Sequence, residues 1–180
     1  MKMPRRPVVP TRQMRGFTLI ELMIGLVIVG VGLTIAVPSF EGMTARNRIA
    51  TQVNEFLLAV NLARSEASRT GSFVSIQPVG SNGSDQFGDG WCVIEGDTGN
   101  CSGTVLRRFD PLAGESTLDL VGSSSSIVFN SLGGLESSTP VSVDLCYPGQ
   151  EGRRIYINLV GRSKSHRPDD VDSSRRPVCP

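Results

Sequence analysis

Phe17 to Val37 is a nearly unbroken apolar run whose only charged residue is Glu21. A helix rises 1.5 Å per residue and needs about 20 residues to cross a bilayer, so the run predicts a spanning helix. Beyond Pro38 the pattern changes. Ile49, Val53, Phe56, Leu57, Val60, Ala63 and Ala67 recur at spacings of three and four, while Arg46, Asn54, Asn61 and Ser68 fall elsewhere; this is the stripe of an amphipathic helix. One helix of roughly 50 residues is therefore expected from Phe17 to Thr70, stopped by Gly71, apolar all round in its first part and one-sided in its second. Pro38 removes a backbone donor and should bend or loosen it locally. From Ser72 onward, short β-rich runs alternate with Gly, Pro, Asn and Ser: Phe73–Val79, Trp91–Glu95, Val105–Phe109, Leu118–Val121, Ile127–Asn130, Val141–Tyr147 and Arg154–Val160. They predict one or two antiparallel sheets whose apolar face covers the helical stripe. Ser81–Gly90 and Gly122–Ser126 read as loops. The fold class is α+β, with a long N-terminal helix as the spine of an antiparallel β-sheet domain.

A chain of 180 residues has room for one globular domain beside such a helix. The net charge of +1 conceals an uneven distribution, because Lys2, Arg5, Arg6, Arg12 and Arg15 precede the apolar run and residues 1–16 contain no acid. The chain beyond Gly16 carries about −4. Basic residues on the N-terminal side alone put residues 1–16 in the cytoplasm and the rest outside. A conventional secretory signal has a shorter apolar stretch ending in small residues, whereas here the run leads into Val37-Pro38-Ser39-Phe40. A plain membrane anchor has to account for Glu21, since a carboxylate within a membrane helix costs roughly 2.5–3.5 kcal/mol.

Arg15-Gly16-Phe17-Thr18-Leu19-Ile20-Glu21-Leu22 resembles the type III signal of type IV prepilins and type II secretion pseudopilins. The resemblance implies a prepilin peptidase that cuts after Gly16, methylation of the new N-terminal Phe17, and Glu21 as the acid needed for assembly. A cut there creates an α-amino group one helical turn from Glu21. In a filament that carboxylate can instead neutralise the amine of a neighbouring subunit, removing two unpaired charges from an apolar environment. Further along, Phe56-Leu57 leading into Ala63-Arg64-Ser65-Glu66-Ala67 is similar to the GspH/FimT group of minor pilins and pseudopilins. The implied organisation is a cleaved cytoplasmic leader (1–16), a transmembrane and assembly helix (17–37), its amphipathic continuation (38–70) and an extracytoplasmic β domain (71–180). The implied protein is a single-pass inner-membrane subunit with its C-terminal domain in the periplasm. Its partners are other pilins or pseudopilins in a helical filament, either in a type IV pilus (priming or tip complex) or in a type II secretion pseudopilus.

Cys92, Cys101, Cys146 and Cys179 lie in the second half with no C-x-x-C spacing, which suits an oxidising compartment. Four cysteines allow three pairings; local turn signals favour Cys92 with Cys101 and Cys146 with Cys179. Chemistry is otherwise sparse. His166 is the one histidine, and no G-x-S-x-G, H-E-x-x-H, P-loop or G-x-G-x-x-G pattern occurs. Asp85, Asp89 and Asp97 do not follow EF-hand spacing. No catalytic residue, metal, cofactor or small-molecule substrate is assigned, and the chain is not read as an enzyme. Residues 153–180 are basic in an otherwise acidic mature chain, through Arg153, Arg154, Arg162, Lys164, Arg167, Arg175 and Arg176. Gly161-Arg162-Ser163-Lys164 resembles the Gly-Arg-x-Arg element of FimT-like proteins, some of which bind DNA during natural transformation. Arg162, Lys164 and Arg167 are thus candidate DNA contacts. Lys164 in place of the second arginine keeps the charge but loses the bidentate fork.

Overall fold

The computed structural model describes residues 16–80, 86–122, 124–167, 177 and 179, with the side chains of 35, 38 and 39 outside the description. The leader through Arg15, Asp85, and Arg175 and Arg176 of the basic tail therefore lie outside it. The chain divides into two compact units, Met1–Glu41 and Gly42–Pro180.

One helix, α1, runs from Leu19 to Thr70. It ends as the sequence dictates. Gly71 takes φ +67°, a left-handed conformation that costs glycine nothing, and its N–H donates to the Ala67 carbonyl at 2.9 Å. In the first unit the described apolar side chains are bare, from Phe17 at 83 % exposure to Val37 at 52 %. Among the described residues no helix is long and apolar enough to cross a membrane. The run expected to span takes in Ile35, whose side chain is among those outside the description.

In the second unit α1 buries Ala45, Ile49, Val53, Phe56, Ala59, Val60, Ala63 and Ala67. Two four-stranded antiparallel sheets supply the other side of this core. The first has the order β3 (Val105–Phe109), β2 (Trp91–Glu95), β1 (Val74–Pro78), β5 (Ile127–Phe129); the second has β4 (Thr117–Leu120), β6 (Val141–Cys146), β7 (Arg153–Ile157), β8 (Ser163–His166). Val74, Ile76, Val93, Ile127 and Phe129 of the first and Leu118, Val143, Leu145, Ile155 and Ile157 of the second join the helix in a single apolar cluster. Phe56 is central to it, edge-on to Phe87 at 5.5 Å and to Trp91 at 5.4 Å, with Trp91 stacked on Phe109 at 5.3 Å.

The outward faces of both sheets are also partly buried, and each disulfide lies where that happens. Ser75 and Gln77 alternate with the core residues of β1 yet are fully buried. Ser75 Oγ donates to the Gly96 carbonyl at 2.6 Å and Gln77 Nε2 to Asp97 Oδ1 at 2.6 Å. The segment making these contacts is closed by Cys92–Cys101, with Cys92 directly opposite Gln77 in the ladder. On the second sheet Cys146 bonds to Cys179 and brings Pro177 and Cys179 against Gly152. There Asp144 and Arg154, opposite each other on β6 and β7, form a two-pronged pair, Nε to Oδ1 and Nη2 to Oδ2, both 2.6 Å. Both residues are buried, and the hydrogen bond to Asp144 holds the Arg154 guanidinium above its ordinary pKa against the opposing cost of burial.

The polar-face pairing sets a stability test. Removing one member of a buried pair strands the other charge, so Asp144→Ala should lower unfolding free energy of the Gly42–Pro180 unit by about 3–5 kcal/mol, while Asp144→Leu with Arg154→Met should recover most of that loss. Denaturant titration of the three proteins measures it. If the double variant is as unstable as the single, the pair is not what the face depends on.

Candidate functional site

Three places carry the residues singled out by the sequence. The first is the start of α1. Gly16 and Phe17 precede the helix, both exposed, and nothing lies within 4 Å of where a Cβ on Gly16 would stand. Thr18 is the N-cap. Its Oγ1 accepts the Glu21 N–H at 3.3 Å, and Glu21 Oε2 accepts the Thr18 N–H at 3.4 Å. This reciprocal capping box satisfies two donors that a helix start leaves free. The Thr-x-x-Glu signal for it was present in the chain but hidden behind the oddity of an acid in an apolar run. Glu21 thus has a partner before any cut is made. A cut after Gly16 would place a cation on Phe17, adjacent to Thr18, where the helix N-terminus itself disfavours positive charge and only Glu21 offsets it.

The second is the edge of the second sheet. The expected run Arg154–Val160 is shorter, ending at Ile157, and residues 163–166 of the basic segment, where no strand was expected, form the edge strand β8. Arg162, Lys164 and Arg167 are all exposed. Lys164 stands opposite Tyr156 across the ladder and His166 opposite Arg154, which gives the edge an aromatic neighbour that linear sequence did not reveal. The described basic residues do not form one patch. Arg154 is consumed by Asp144, and Arg167 lies beyond the far end of β8 from Arg162, lining a cleft of about 530 Å³ with Arg46, Arg153 and Glu151. Among the described residues no group of three or more His, Cys, Asp or Glu could hold a metal ion.

The third is where two sequence signatures meet. The turn Asn130–Gly133 after β5 and the turn Asn158–Gly161 between β7 and β8 lie against each other over Arg64 of α1. The Leu135 N–H donates to the Leu159 carbonyl at 2.9 Å. Gly133 and Gly161 both have φ +76°. A Cβ on Gly133 would come within 2.9 Å of Ser68 Oγ and 3.2 Å of the Arg64 carbonyl; one on Gly161 would collide with the Gly133 carbonyl and meet Arg64 Cδ at 3.1 Å. The Ala63–Ala67 segment and the Gly161–Lys164 segment, about a hundred residues apart in sequence, are thus two sides of one joint.

Comparison with known proteins places this geometry. The family profile described as type II transport protein GspH matches residues 52–161, and that of the prokaryotic N-terminal methylation motif matches residues 11–37. Among solved structures, the type IV minor pilin FimU of Pseudomonas aeruginosa superimposes with a TM-score of 0.60 at 24 % identity, over 75 % of this chain and 96 % of that one. A second crystal form of FimU gives 0.54 at 23 %, over 72 % and 94 %. The minor pseudopilin EpsH of the Vibrio cholerae type 2 secretion system gives 0.48 at 17 %, over 67 % and 98 %. No curated protein matches the chain.

The joint predicts a contrast between two glycines of similar φ. Gly161→Ala should cost about 2–4 kcal/mol, because backbone must move. Gly149→Ala, at φ +68° with open space around it, should cost only about 1 kcal/mol. Thermal melts of the two variants decide it, and equal costs would mean that φ alone, not the joint, penalises Gly161.

Proposed function

The chain belongs to the GspH family and is a minor-pilin- or pseudopilin-like subunit, and on that basis we propose that it is cut between Gly16 and Phe17 by a prepilin peptidase, methylated on Phe17 and built into a type IV pilus as a low-copy subunit of the priming or tip complex. Family members assemble with other pilins or pseudopilins. The observation that carries the finer reading is the start of α1: the methylation motif covers the apolar first part of the helix, whose described apolar side chains are exposed over a continuous stretch and whose one acid, Glu21, lies a single turn from Phe17. Such a surface needs lipid before assembly and neighbouring helices after it, and both suit a single-pass inner-membrane subunit with its β domain in the periplasm. The corresponding pseudopilin of a type II secretion system is the alternative. Deleting the gene separates them by whether piliation or the export of folded proteins is lost.

Gly16→Ala should block processing and leave a protein about 16 residues too long, whereas Glu21→Ala should be cut normally but recovered from sheared filaments at a small fraction of the wild-type level. Intact-mass analysis of membrane extracts and of the filament fraction reads both. A mature N-terminus other than Phe17 would remove the reading.

A second reading, a DNA receptor, is favoured by the exposure of Arg162, Lys164 and Arg167 and by Tyr156 beside Lys164. It predicts weak, salt-sensitive retardation of duplex DNA by the Gly42–Pro180 unit, reduced several-fold by Arg162→Ala with Lys164→Ala. No retardation at low salt disposes of it.

A further inference from the structure

The two interlocked turns at the C-terminal end of α1 are built from polar and flexible residues at their corners and apolar ones at their tips. In the first, Asn130 Oδ1 accepts the N–H groups of Leu132 at 3.0 Å and Gly134 at 3.1 Å; in the second, Asn158 Oδ1 accepts that of Arg162 at 2.8 Å. Each turn is closed by its glycine, Gly133 N–H to the Asn130 carbonyl and Gly161 N–H to the Asn158 carbonyl, both 2.8 Å. Asparagine and glycine are what such turns require. The residues between them are free to be polar, yet they include Leu132, Leu159 and Val160, at 88 %, 46 % and 64 % exposure.

Single exposed apolar side chains need no explanation, but three gathered on abutting, hydrogen-bonded turns concentrate apolar surface in one place, and such concentrations are often functional. Nothing in the fold demands it. The turns are held before any partner arrives, so little ordering entropy opposes contact. Exposed Arg162 borders the patch, so a complementary face is apolar with a carboxylate at its rim.

We propose that Leu132, Leu159 and Val160 dock onto a neighbouring pilin-like subunit, a different chain from this one, through an apolar surface rimmed by acid. This rests on the reading that the protein is assembled among such subunits. Area supports that setting: a free-standing complex needs about 800 Å² on each partner, well beyond this patch. Subunits already gathered by their N-terminal helices need only a small orienting contact, because the second encounter is effectively intramolecular.

The test uses the full-length protein in its own cells. Leu132→Ser with Val160→Ser, at exposed positions, should melt as the wild type does and be processed to Phe17, yet be recovered from sheared filaments roughly tenfold less. A photoreactive amino acid placed at Leu132 of the otherwise wild-type chain should crosslink to another subunit carrying its own N-terminal methylation motif. Equal recovery of variant and wild type, or crosslinks only to a second copy of this chain, to lipid or to nothing, overturns the proposal while leaving filament assembly standing. Absence of the wild type itself from filaments and assembly complexes overturns the assembly reading, and this proposal with it.

Discussion

Arg64 sits where α1 and both sheets converge, and the space it leaves is too narrow for any side chain at Gly133 or Gly161. That restriction governs the domain. A helix offers one apolar stripe, and here the stripe must serve two sheets that share no ladder hydrogen bonds. Ala59, Ala63 and Ala67 let strands come close along one part of it, and Phe56 fills the wider part by reaching both Phe87 and Trp91. The sheets are then locked to each other, beyond the shared core, by turns lying over the helix. Because interiors are packed as densely as organic crystals, a joint of this kind cannot adjust by small degrees.

The same economy explains the disulfides. A strand with one face on the core and one in water should alternate in burial, and neither β1 nor β6 does so throughout. Each carries outward polar side chains that are covered: Ser75 and Gln77 by the segment that Cys101 ties down, Asp144 beside Cys146, which holds Cys179. Covalent closure of loops of these lengths contributes about 3 and about 4 kcal/mol on the chain-entropy account. That is the scale needed to keep polar chain over a polar face, where there is little apolar area to hold it.

Much of this was legible in the residues. The stripe from Ile49 to Ala67, the end of the helix at Thr70 and seven of the eight strands are set by periodicity and turn residues, because those signals are local. What escaped was decided by contacts between distant parts. Ser163–His166 has no strand-like composition and becomes β8 because Arg153–Ile157 presents an open edge to it. Arg154 looked like one cation of a basic tail, and only the register of β6 with β7 sets it against Asp144. The candidate site divides in the same way. Gly16, Phe17 and Glu21 stand within one short motif and could be read directly. The capping role of Glu21 was equally local but was masked by a more conspicuous property of the same residue, its charge.

If the chain is cut after Gly16 as proposed, Glu21 has two partners available at different stages, and the energies order them. In the uncut chain it accepts a neutral backbone N–H at 3.4 Å and the Thr18 hydroxyl at 3.5 Å, long contacts worth little more than about 1 kcal/mol. An ammonium group in an apolar surrounding would be a far stronger attractor, since it adds the attraction of an opposite full charge, which grows as water is excluded. A helix start that is adequately capped without the amine can fold before any cut is made. On the proposed reading its carboxylate would exchange a weak local partner for a charged one as other helices pack around it. An acid at the third helical position, rather than deeper in the run, is within reach of both the Thr18 cap and the amine that the proposed cut would create on Phe17.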